Sequence, residues 1–257
     1  MLNLSALFAS YWNSLPTQAQ AARAAGWELS LPFLPIKAVL FDMDGVLFDS
    51  MPLHAESWAS TCRAVGWVMS EEEVYMNEGR TAHSTINMLT QRQFGRDTHA
   101  EEVAHIYALK CERFNRHPEA PKMPGANEVL QVVKQAGKSI VVVTGSGQAS
   151  LLERLTSHYP GFFDPARVVS SKDVQHGKPH PEPYLMGLEK AGHLHPWEAI
   201  VVENAPLGVR AAVAAGCFTI AVNTGPLAPS VLADEGAHLV LSSMHELAEV
   251  LPTLLHP

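Results

Sequence analysis

Two carboxylates one residue apart, Asp42 and Asp44, follow the apolar run Ala38-Val39-Leu40-Phe41 and precede Gly45. A run of this kind, bounded by Lys37 and Asp42, predicts a buried parallel strand over 37–41. Open α/β sheets bind their ligands at the carboxyl ends of the strands. Two acids in such a pocket repel one another unless a shared proton or a cation relieves them. Mg²⁺ meets that need, because it prefers oxygen ligands and accompanies phosphates.

Three more segments carry chemistry of the same kind. In Val141-Val142-Val143-Thr144-Gly145-Ser146-Gly147 an apolar strand runs into a glycine-flanked turn with two hydroxyls. Backbone N–H groups there, with Thr144 and Ser146, form a cradle for an anion. In Gly177-Lys178-Pro179-His180-Pro181 the prolines hold the chain extended and present Lys178, a cation suited to a phosphate. In Ala199-Ile200-Val201-Val202-Glu203-Asn204-Ala205-Pro206 a buried strand ends in a carboxylate and an amide, both oxygen donors for a hard cation. Each segment has an ordinary reading too. The first is a strand-to-helix turn, the second a solvated lysine, the third an Asn204 helix cap ahead of Pro206.

The elements that must position these residues follow from the hydrophobic pattern. Strand-like runs occupy 37–41, 139–143, 168–170, 199–202, 219–222 and 238–241. Helical patterns at 125–135, 148–158, 183–191 and 206–215 alternate with them. Strands separated by helices predict βαβ units and an α/β fold with a Rossmann-like parallel sheet core. The interval 51–122 breaks the rhythm, with helical stretches near 52–65, 71–77, 84–94 and 101–116 and no strand. It reads as an α-helical cap domain inserted after the first strand, a lid over the site. The core then comprises 37–50 and 123–257. Residues 1–36 form an N-terminal extension whose role is unreadable, with a helix expected at 18–25 and extended chain at 31–36.

Composition bounds the function. The chain has 257 residues, 47% of them hydrophobic, with mean hydropathy +0.02, as suits a globular protein with a full core. A net charge of −8 argues against a nucleic-acid footprint. No apolar run is long enough for a membrane span. Cys62, Cys111 and Cys217 are widely spaced and read as free thiols in a reducing compartment, which makes the expected location cytoplasmic. A monomer or weak homo-oligomer is expected.

Taken together, the four motifs in this order, with the helical insert between the first two, resemble the haloacid dehalogenase-like superfamily and its β-phosphoglucomutase-like branch. The resemblance covers about 37–251. It implies Asp42 as a nucleophile that forms an aspartyl-phosphate and Asp44 as general acid, then base. It implies Thr144, Gly145, Ser146 and Lys178 as holders of the phosphoryl group. Asp42, Asp44 and Asn204 would ligate Mg²⁺, with Glu203 in or just behind that ligand set.

The branch commonly has Glu-Asp-Ser where this chain has Glu203-Asn204-Ala205, one negative charge fewer. The insert offers a compensator in Glu78-Gly79-Arg80, a loop between helical stretches that can project into a site. Glu78 would reach the metal, and Arg80 would clamp a second phosphate. With the run Glu78 to Asn87, this is most similar to the branch's inorganic pyrophosphatases, so pyrophosphate is the expected substrate. A sugar-phosphate phosphatase, β-phosphoglucomutase and a non-catalytic phosphate-binding module remain alternatives. His54, early in the first lid helix, is placed to face Asp44 and orient or recharge it. The other histidines suggest no metal cluster. Trp58, Trp67 and Trp197 are assigned to packing.

Overall fold

Every residue of β1 (Ala38–Phe41) is buried, which requires cover on both faces of the strand. The computed structural model describes residues 3–14, 34–147 and 151–255. They form a six-stranded sheet in which all neighbouring pairs are parallel. With β2 (Ser139–Val143), β3 (Val168–Val169), β4 (Ala199–Glu203), β5 (Phe218–Val222) and β6 (Leu239–Leu241), the order is β3-β2-β1-β4-β5-β6. The strand order reverses between β1 and β4, which pair from Ala38–Ala199 to Phe41–Val202. A crevice opens at that switch point, beyond the carboxyl ends of the strands.

Side chains alternate between two cores, as a strand's two-residue period demands. Val39 and Phe41 join Val142, Val202 and Ile220 on one face. That face is covered by α1 (Leu4–Ser14), α6 (Ala126–Gln135) and α11 (Met244–Leu255). Ala38 and Leu40 join Val141 and Val201 on the other, under α8 (Glu182–Lys190) and α9 (Pro206–Ala214). Helices α7 (Leu151–His158) and α10 (Pro229–Asp234) complete the core.

The N-terminal helix lies where the sequence pattern did not put it. Phe8, Tyr11 and Trp12 of α1 are buried, and the Tyr11 hydroxyl donates to the Gly216 carbonyl at 2.7 Å. The rings of Tyr11 and Phe218 meet edge to face at 5.5 Å. Phe218 begins β5, so α1 seals the end of the sheet opposite Asp42. The helix expected at 18–25, the start of the extended segment at 31–33 and the first residues of the 148–158 helix lie outside the described residues.

Four helices form the insert: α2 (Met51–Ala64), α3 (Glu71–Met76), α4 (Ala82–Phe94) and α5 (Ala100–Phe114). They bury their own cluster, including Trp58, Cys62, Ile86, Leu89 and Ile106. A capping box, in which Ser70 and Glu73 satisfy each other's backbone N–H, starts α3. The two connections to the core run side by side. Met123 N–H donates to the Leu47 carbonyl at 2.9 Å, and Asp49 N–H to the Pro121 carbonyl at 3.0 Å. Trp197 packs on Trp12 at 6.3 Å, and Trp67 on Phe94 at 5.7 Å. Among the described residues no helix is long and apolar enough to cross a membrane.

Candidate active site

Asp42 leaves β1 and Glu203 ends β4, so the register of the two strands brings them together. Between them stands Lys178, 2% exposed. Its Nζ lies 2.5 Å from Asp42 Oδ1 and 2.6 Å from Glu203 Oε1, and donates to the Val143 carbonyl at 3.1 Å. Burial pushes the ammonium down, but the two carboxylates outweigh it and hold Lys178 above its usual value. Burial raises the Asp42 carboxyl, with Glu203 and Asp44 adding to the rise and Lys178 opposing it. Two carboxyl groups thus share one ammonium, so a proton or a further cation must meet the second of them.

Of the two places expected for Glu203, in the ligand set or just behind it, the geometry favours the second. Its Oε1 accepts from Lys178 and from the Tyr184 hydroxyl, at 2.6 and 2.5 Å. Its Oε2 accepts from the N–H groups of Asn204 and Ala205, at 2.9 and 3.2 Å. Both oxygens are therefore taken, and the side chain has no exposed surface. Glu203 is the anchor of Lys178 rather than a metal ligand. Tyr184 and Gly208 complete this anchor, and the sequence reading missed both. A methyl group on Gly208 would sit 1.9 Å from Glu203 Oε1. The carboxylate cannot swing away without breaking its bonds to Lys178 and Tyr184. Gly208→Ala is expected to cost about 1–3 kcal/mol of stability in urea denaturation. It should lower kcat roughly ten- to hundredfold through the displaced lysine.

Asp44 is 4% exposed and tied on its Oδ1. The Ser50 hydroxyl donates at 2.5 Å, and His54 Nε2 lies 3.2 Å away. Lys110 Nζ, on α5 of the insert, lies 2.8 Å from His54 Nδ1. An ammonium can only donate, so Nδ1 accepts and Nε2 carries the hydrogen that faces Asp44. Burial pushes the Asp44 carboxyl up. His54 beside it, with the hydrogen bonds from His54 and Ser50, outweighs burial and holds it below the ordinary carboxylate range. Phe114 stacks on His54 at 4.4 Å and lies under the Lys110 ammonium at 4.7 Å. Lys110, 56 residues from His54, carries no local signal in the sequence.

Asn204 lies against Gly45, where a methyl group would come within 2.0 Å of its amide nitrogen. Its Oδ1 is buried and has no hydrogen-bond partner among the described residues. An orphaned buried oxygen is costly unless something occupies it. With Asp42 and Asp44 it gives an all-oxygen donor set that fits a hard cation such as Mg²⁺.

Thr144 is 4% exposed, and its Oγ1 accepts from the Ser146 N–H at 3.0 Å, which shapes the turn at the end of β2. The insert's loop sits directly on it. A methyl group on Gly145 would meet the Gly79 carbonyl at 3.0 Å, and one on Gly79 would meet Lys178 Cδ at 2.9 Å. Beside them, a methyl group on Gly177 would meet Thr81 Cγ2 at 2.6 Å. Three glycines make this seam, a close approach that any Cβ would hold apart.

Glu78 and Arg80 flank Gly79 in that seam. Together with Asp44, His54, Lys110, Gly145 and Ser146 they line a cavity of about 50 Å³. Burial, and Asp44 near it, raise the Glu78 carboxyl. Glu78 also faces Asn204 across a second small cavity. The Arg80 guanidinium donates to Asn77 Oδ1 at 3.1 Å and to Ser84 Oγ at 3.0 Å. The rest of the wall is Trp58, Met69, Val74, Asn77, Ala82, Thr85 and Tyr107, so Trp58 lines the cavity as well as packing the insert.

The family model described as haloacid dehalogenase-like hydrolase matches residues 39–222. Hexitol phosphatase A of Escherichia coli is 32% identical, over 82% of this chain and 93% of that one. A Thermotoga maritima protein named phosphorylated carbohydrates phosphatase is 30% identical, over 70% of this chain and 82% of its own. A solved Bacteroides vulgatus structure, provisionally described as a β-phosphoglucomutase, is 50% identical with a TM-score of 0.85. That match covers 96% of this chain and 97% of the other.

Proposed function

The chain belongs to the haloacid dehalogenase-like hydrolases, as one of their phosphatases, and from that premise we propose that it acts on small phosphorylated sugars or polyols. The cavity wall carries this reading. Trp58, Met69, Val74 and Tyr107 offer apolar and aromatic surface, and Asn77 and Thr85 stand among them as neutral hydrogen-bonding groups. Such a wall suits the carbon skeleton and hydroxyls of an organic leaving group. Pyrophosphate would need cations free to meet it there, but Lys110 is committed to His54, and the Arg80 guanidinium donates to Asn77 and Ser84. The pyrophosphatase expectation therefore gives way to the sugar-phosphate alternative. The names of the relatives favour the same class.

In this reading Asp42 attacks phosphorus, and the bond from phosphorus to the sugar oxygen breaks. Asp44 gives the departing oxygen its proton. Asp44 then takes a proton from a water molecule, whose oxygen attacks the aspartyl-phosphate and frees Asp42. Asp44 is held as a carboxylate, which suits the second half. For the first half it needs a proton, which His54 can pass from Nε2 as its Nδ1 takes one from the Lys110 ammonium, leaving the ring neutral and Lys110 an amine. Lys178, the Gly145 N–H and the Thr144 hydroxyl would hold the phosphoryl oxygens, the Thr144 and Ser146 N–H groups being taken by the Val169 carbonyl and Thr144 Oγ1. Asp42, Asp44 and Asn204 would hold Mg²⁺, which when bound neutralises charge growing on the phosphoryl group. Glu78 borders the same space.

A cavity of about 50 Å³ admits only a few waters, so the sugar binds when the insert swings on its paired connections. The test is phosphate release with Mg²⁺ from hexitol phosphates, hexose phosphates, glycerol phosphate, a nucleotide and pyrophosphate. The carbohydrate esters should exceed pyrophosphate at least about tenfold in kcat/KM, a margin worth about 1.4 kcal/mol. Preference for pyrophosphate would overturn the reading. The likeness to the Bacteroides vulgatus protein favours a second reading, transfer of the phosphoryl group to another hydroxyl of the sugar. Conversion of β-glucose 1-phosphate to glucose 6-phosphate without phosphate release would select it.

A further inference from the structure

The loop that presents Lys178 carries a second group of ligand atoms, on residues that do not line the active-site cavity. His176, His180 and Glu182 each offer one ligand atom, all within 4.8 Å of one another. This corrects the expectation that the histidines form no cluster. The two imidazoles face each other at 4.7 Å between ring centres. His176 Nδ1 lies 2.8 Å from Glu182 Oε2, and His180 Nδ1 lies 3.8 Å from the same oxygen. The carboxylate is fixed in place, because the N–H groups of Gln175 and His176 donate to its two oxygens at 2.7 and 2.9 Å. The imidazoles are 62% and 51% exposed, so an ion can reach them from solvent.

We propose that His176, His180 and Glu182 bind a borderline divalent cation of the Zn²⁺ class, at a site separate from the catalytic cation. Two nitrogens and one carboxylate oxygen, with water in the fourth position, are a ligand set such a cation takes. Mg²⁺ does not compete, since it demands oxygen ligands in near-octahedral array. The ion replaces the proton that joins His176 to Glu182. The site brackets Gly177-Lys178-Pro179, so the bound ion ties down both ends of the segment that holds Lys178 and seats Thr81 of the insert. It acts as a brace on the catalytic lysine, and takes no part in phosphoryl transfer.

Calorimetric titration of Zn²⁺ into the full chain, with Mg²⁺ saturating, tests the proposal. One equivalent is expected to bind and to raise the thermal midpoint. His176→Ala and His180→Ala should each weaken that binding at least about tenfold, the least that disturbing a metal's surroundings costs. Both positions are exposed, so the variants should fold, with circular dichroism as the check. Asp44→Asn should leave the equivalent intact. Absence of Zn²⁺ binding, wild-type titrations of the histidine variants, or loss of the equivalent in Asp44→Asn would each overturn the site.

Discussion

Asp42→Asn is expected to abolish turnover in a folded protein, with kcat down by at least about 10⁴ on the carbohydrate esters. Asparagine keeps the shape and one acceptor for Lys178, but its amide oxygen cannot form the aspartyl-phosphate. What remains is electrostatic and positional help from Lys178 and the turn after β2. The stability result separates this from simple damage. Wild type holds two buried carboxylates, Asp42 and Glu203, against one ammonium, Lys178. The variant balances them one to one. Without Mg²⁺ its thermal midpoint should equal or exceed that of wild type, because a buried excess charge has been removed. With Mg²⁺ wild type should gain more than the variant, which has lost a ligand. Phosphate release and thermal scans with and without Mg²⁺ check both halves. Turnover within tenfold of wild type would remove Asp42 as nucleophile.

The parts of this site legible in the sequence are those whose chemistry is local. Asp42 and Asp44 stand one residue apart after an apolar strand, so type and spacing alone place them at a sheet edge. The Thr144 turn and the Lys178 loop were legible for the same reason. The parallel sheet and helical insert followed from periodicity, which survives without tertiary contacts. Glu203 shows where such reading stops. A carboxylate at a strand end points toward the crevice, but spacing does not say whether its oxygens meet a cation or are consumed by Lys178 and Tyr184. Lys110 is harder still. It meets His54 only because α2 and α5 pack within the insert, and on α5 it looks like any helical lysine. Gly79, Gly145 and Gly177 could be seen as turn residues. Their shared role in one seam depends on how the insert docks. The helix α1 was missed because its buried Phe8 and Tyr11 pack on Phe218 of β5, more than 200 residues away in sequence.

Lys178→Met should be the most destabilising single change in the site, and the reason fixes the role of Glu203. Methionine fills the space but leaves Asp42 and Glu203 buried without a counter-charge. Breaking a buried ion pair from one side costs about 3–5 kcal/mol. The same variant should lose about 10³ in kcat, since the charge on the transferring group is no longer met. Glu203→Gln should cost less, about 1–3 kcal/mol, because Lys178 keeps Asp42 and glutamine retains an acceptor for Tyr184. The double variant Lys178→Met with Glu203→Gln carries the argument. If Glu203 exists to hold Lys178, removing the lysine first makes the lone carboxylate a liability, so neutralising it restores stability. The double variant should then be more stable than Lys178→Met alone, with a coupling of at least about 1 kcal/mol in urea denaturation. Its activity should stay as low as that of Lys178→Met. If the two losses simply add, Glu203 and Lys178 act independently, and the anchor described above is not what holds the lysine in place.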